Sequence, residues 1–68
     1  MEQETFNLSV RKFLKMVGVR SQHEIEQAIE KAIASGLIKG SESLPATMTL
    51  KIANVRLDVT FDGRIDLQ

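Results

Sequence analysis

Cysteine is absent from this sequence, so neither a disulfide nor a thiolate metal site can add stability to the fold. Tryptophan and tyrosine are absent as well, which removes the residues most often found at interface hot spots and leaves three phenylalanines as the aromatic content. Charge of either sign is not in excess: nine basic residues balance nine acidic ones. A general polyanion binder needs a positive surplus to gain from counterion release, so that class is disfavoured. No apolar run approaches the roughly 20 residues of a membrane span. The start, Met1-Glu2-Gln3-Glu4, has neither the basic region nor the apolar stretch of a signal peptide. Together these absences point to a soluble, cytoplasmic protein. At 68 residues the chain is read as one domain, close to the lower size limit for a core without staples. Covering apolar surface with a second copy is a common way for so small a domain to gain stability.

What is present is most regular in the last third. Met48, Leu50 and Ile52 alternate with polar residues, as do Val55, Leu57, Val59 and Phe61, and then Ile65 and Leu67. Period two over so many positions marks strands with one apolar and one polar face. Strands are expected at about 46–53, 55–61 and 64–67. The polar face would carry Thr47, Thr49, Lys51, Arg56, Asp58, Thr60, Arg64 and Asp66.

The first half has helical spacing. Phe6, Val10, Phe13, Leu14 and Val17 fall within an arc of about 100°, one stripe of an amphipathic helix over about 5–17, with Gly18 as a left-handed stop. Ser21 and Glu24 have the spacing of a capping box for a second helix over about 22–35. Its stripe would be Ile25, Ala28, Ile29, Ala32 and Ile33, ending at Gly36 with Leu37 folded back. Gly40, Ser41 and Ser43 read as loop, and Pro45 precedes the first strand.

Parity tests the turns. A two-residue loop Ala53-Asn54 pairs Ile52 with Val55, Leu50 with Leu57 and Met48 with Val59, all on one face. A two-residue loop at Asp62-Gly63 would turn Ile65 and Leu67 to the solvent side. A three-residue loop Phe61-Asp62-Gly63, with Gly63 left-handed in a bulge, keeps them inside and sets Asp58 opposite Asp66. The expected fold is therefore α+β in two layers: two helices followed by a three-stranded antiparallel meander.

Thr5-Phe6-Asn7, Arg11-Lys12-Phe13-Leu14, Val17-Gly18-Val19, Ser21-Gln22, Glu24-Ile25-Glu26, Leu44-Pro45-Ala46 and Asp62-Gly63 resemble a family of small bacterial proteins known only as a domain of unknown function. The resemblance covers nearly the whole chain. It implies a bacterial source and a stand-alone small protein, and it implies no activity, cofactor or catalytic residue.

Chemistry-bearing groups are few. His23 is the one histidine, and with Glu26 and Glu30 it has helical spacing for a divalent ion, the basis of a metal-dependent enzyme reading. An exposed histidine beside acidic residues that favour a helix N-terminus explains the same trio. No glycine-rich loop follows a strand, and no cofactor is implied. The candidate partner face is Leu8 ringed by Arg11, Lys12 and Lys15, with Arg20 just beyond the helix end. It would meet an acidic protein surface, or, as the alternative, a nucleic-acid backbone; cations late in a helix also satisfy its dipole with no partner at all. An open sheet edge is a second place for a like copy to add; the alternative is that Lys51, Pro45 and the helices or the loop before Pro45 guard it. The leading expectation is a non-catalytic interaction module, a homodimer or the partner of an acidic protein.

Overall fold

The computed structural model describes residues 1–68 as two units, Met1–Leu37 and Ile38–Gln68. The first is a single helix, α1, Gln3–Ala34. Glu2 caps its start: the carboxylate accepts from the amides of Glu4 and Thr5, both at 3.0 Å, and from the Thr5 hydroxyl at 2.9 Å. The Glu4 amide, then that of Thr5, hold the Glu2 carboxyl below its usual range. The helix ends in a Schellman motif, in which Leu37 N–H donates to Ala32 C=O at 2.9 Å and Gly36 N–H to Ile33 C=O at 3.1 Å. Gly36 sits at φ 79°, which its missing Cβ permits.

The expected pair of helices is corrected to one. Gly18 lies inside α1, and Ser21 sits three residues further along the same helix as an interior residue, not as a cap. A glycine in a helix interior costs only about 1 kcal/mol relative to alanine. Stopping there and restarting would leave four N–H and four C=O groups without helical partners at each break. Continuation is cheaper.

The second unit is a hairpin. Strand β1 covers Ser43–Ile52 and β2 covers Leu57–Asp66, paired antiparallel in a two-stranded sheet. A connecting turn at Ala53–Val55 closes with Arg56 N–H donating to Ala53 C=O, and Arg56 takes the left-handed conformation at φ 56°. The register pairs Leu44 with Ile65, Ala46 with Gly63, Met48 with Phe61, Leu50 with Val59 and Ile52 with Leu57, all on one face. The other face pairs Ser43 with Asp66, Thr47 with Asp62, Thr49 with Thr60 and Lys51 with Asp58. There the Thr49 and Thr60 hydroxyls bond at 3.1 Å, and Arg64 donates to the Ser43 carbonyl at 2.7 Å while the Ser43 hydroxyl donates to Asp66.

The chain is thus α+β, but with one helix and two strands in place of two helices and a three-stranded meander. Asp62-Gly63 makes no turn; β2 runs straight through it. The physical reason lies in the pairs. The three-strand register sets Asp58 against Asp66, and the two-residue first loop sets Lys51 against Arg56. The observed one sets Lys51 against Asp58 and leaves no like charges opposed. Gly63→Val follows as a test of sign. An added Cβ there meets nothing within 4 Å and the residue is extended, so valine should raise the stability of the sheet by up to about 1 kcal/mol through its strand preference. A left-handed bulge residue would lose stability on the same change, so a lower denaturation midpoint would restore the third strand.

Between the units' elements, the segment from Ile38 to Glu42 folds around one carboxylate. Glu42 accepts from Lys39 N–H and Gly40 N–H, each at 2.8 Å, and from Ser41 N–H at 3.1 Å. The Lys39 amide, followed by that of Gly40, draws the Glu42 carboxyl below its ordinary 4.5. A carboxyl lowered in the folded state stabilises fully above its unfolded pKa, and that contribution fades as pH falls through the folded value. Glu42→Gln should therefore lower the unfolding midpoint at neutral pH and narrow its gap from the parent chain as pH falls below 4.5. A gap that stays constant over that window would remove the carboxylate from the loop's support.

Candidate functional site

The face singled out in the sequence is built on α1. At about 100° per residue, Leu8, Arg11, Lys12 and Lys15 share an arc of about 100°. Leu8 is 63% exposed in their midst. Arg20 does not join them. Because the helix continues, Arg20 lies about 80° past the edge of that arc, and its guanidinium reaches back to Met16 Sδ at 3.9 Å. His23, Glu26 and Glu30 lie on the outer side of the same helix, and no group of three His, Cys, Asp or Glu side chains in the structure is placed to hold a metal ion. No helix is long and apolar enough to cross a membrane.

A larger feature lies on the other side of α1. Joined into one helix, the two expected stripes become a single seam: Phe6, Val10, Leu14, Val17, Ser21, Ile25, Ala28 and Ala32. Their spacings are four, four, three, four, four, three and four, an 11-residue repeat in which Phe6, Val17 and Ala28 form one row and Val10, Ser21 and Ala32 another. Phe13 and Ile29 flank it. Nothing in the helix unit is buried: Val17, Ser21, Ile29 and Ala32 are half-buried, and Phe13 and Leu14 are about half exposed. The same holds for the hairpin, whose Met48 and Phe61, side by side on the apolar face, remain open to water.

A stop at Gly18 divides the seam into two separate stripes, whereas the continuous helix joins them. The signal that reveals it is the 11-residue spacing, which runs across Gly18 without a change of phase. Chemically, the arrangement offers apolar strips bordered by charge, which suits the holding of another protein surface.

Comparison with known proteins adds one finding. The model of a family described as a family of unknown function (DUF6494) matches residues 1–68. No curated protein and no solved structure matches the chain.

Proposed function

We propose that this chain, which belongs to the family of unknown function DUF6494, acts by binding another protein surface and not by catalysis. One observation carries the reading: 43% of the residues are hydrophobic, yet no side chain is buried. A helix in a protein owes most of its stability to packing of its apolar face, and a lone two-stranded hairpin is at best marginally stable in water. Apolar surface left open in both units favours a working state in which a partner covers it. The basic group Arg11, Lys12 and Lys15 adds preference for an acidic neighbour.

The test is circular dichroism of the purified chain, with light scattering at the same concentrations. Association predicts low helix content whenever the chain is monomeric and a rise in helix content as complexes form. A dilute monomer that keeps its full helix signal and melts cooperatively would sink the reading.

A further inference from the structure

Resting on that reading and deepening it, we infer that the partner of α1 is a second copy of α1, packed antiparallel along the seam with the two-fold axis at Ser21. Three observations on the helix converge on this occupant. The first is position. Apart from Phe6, whose counterpart would be Gly36 beyond the helix end, the seam residues map onto one another when the chain is reversed about residue 21: Val10 meets Ala32, Leu14 meets Ala28, Val17 meets Ile25 and Ser21 meets its own copy. A two-fold interface requires such self-complementarity, since each patch must accept itself. The 11-residue period, 3.67 residues per turn, keeps the seam nearly straight along the helix with a slight right-handed coil.

The second observation is size. In the outer layers the larger side chains, Val10 and Leu14, lie before the axis and the alanines, Ala32 and Ala28, after it, while Val17 and Ile25 next to the axis are alike in size. Antiparallel packing sets large against small in the outer layers, Val10 against Ala32 and Leu14 against Ala28. Parallel packing would set Leu14 against Leu14 and leave Ala28 facing Ala28 across a gap, which close-packed interiors avoid.

The third is charge. From Arg11 to Arg20 the helix carries four cations and no anion, and from Glu24 to Glu30 three anions and no cation. Reversal about Ser21 sets each basic segment level with the acidic segment of the other copy; Arg11, Lys12, Lys15, Glu26 and Glu30 point outward there, and Arg20 and Glu24 are the charges that border the seam. Arg20 and Glu24 both flank the seam, so Arg20 of each copy comes alongside Glu24 of the other. Such flanking charges set helix orientation.

Because the chain has no cysteine, single thiols report the geometry cleanly. Light scattering should give a mass of two chains. With a short bis-maleimide, Ser21→Cys should cross-link to itself, and an equal mixture of Val10→Cys and Ala32→Cys chains should cross-link, while Val10→Cys alone should not. The change Glu24→Lys, made in both copies, should weaken dimerisation about tenfold at low salt and less at high salt, while Glu26→Lys on the outer side should leave it nearly unchanged. Cross-linking of Val10→Cys alone would show a parallel pair and overturn the inference, as would a dimer indifferent to the charge reversal at Glu24. A chain that stays monomeric with little helix overturns the second copy while leaving association with another protein in place. A monomer with full helix overturns both.

Discussion

Replacing Gly18 with proline should lower the stability of the helix by about 3 kcal/mol or more, enough to abolish its cooperative melting. Gly18 lies near the middle of α1. Proline there removes the amide that bonds the carbonyl of Leu14 and drives its ring into that same carbonyl. Gly18→Ala is the companion. A Cβ at this position meets nothing within 4 Å, so alanine should raise the melting midpoint, by up to about 1 kcal/mol of stability. The opposite signs belong to a continuous helix. In a two-helix arrangement with a left-handed stop at Gly18, alanine would be the harmful change, because it cannot adopt the stop without strain. Thermal denaturation followed by circular dichroism reads both variants in one experiment.

Placing a carboxylate in the seam should have an effect of similar size. Val17→Asp sets a charge at a half-buried layer of the seam, where a covering surface would have to desolvate it. Loss of an interface anchor costs about 2 kcal/mol or more, and an unpaired charge in its place adds to that. Val19→Asp is the control: Val19 is 63% exposed and lies on the far side of the helix, so the change should stay within about 0.5 kcal/mol. Sedimentation and helix content should fall together for Val17→Asp and hardly move for Val19→Asp. Equal effects at the two positions would mean that the seam is not the covered side.

Much of the hairpin was legible because its alternation is strict. Leu44, Met48, Leu50, Ile52, Leu57, Val59 and Ile65 share one face in the structure. The turn was not legible by parity, since two-residue and four-residue loops differ by an even number. Either choice leaves the other apolar residues on their face, slides the pairing, and differs at Val55, which the longer loop takes into the turn. What separates them is charge on the polar side, where Lys51 meets Asp58 in the longer loop. Asp62-Gly63 misled for a related reason: its local turn preference is real, but it is worth less than a strand that continues for ten residues with apolar pairs throughout. On the helix, Leu8, Arg11, Lys12 and Lys15 share an arc by spacing alone, whereas a stop at Gly18 would put Arg20 beyond the helix that in fact contains it. A single glycine carries a small free energy. Its sequence signal is strong only when proline, asparagine or a change of phase accompanies it, and around Gly18 none does.

The open seam and sheet face also bear on how the chain responds to heat. Apolar surface entering water gives unfolding its large positive heat capacity, typically about 12–15 cal/mol/K for each residue. Denaturant sensitivity follows the same newly exposed area. A solitary chain of this kind, with no buried side chain, would show a heat-capacity step well short of that range, a shallow denaturant slope and a broad transition at both ends of the temperature scale. A full-sized step per chain, measured by calorimetry, would instead mean that these surfaces are dry in the folded molecule, and its magnitude would report how many square ångströms of them are covered.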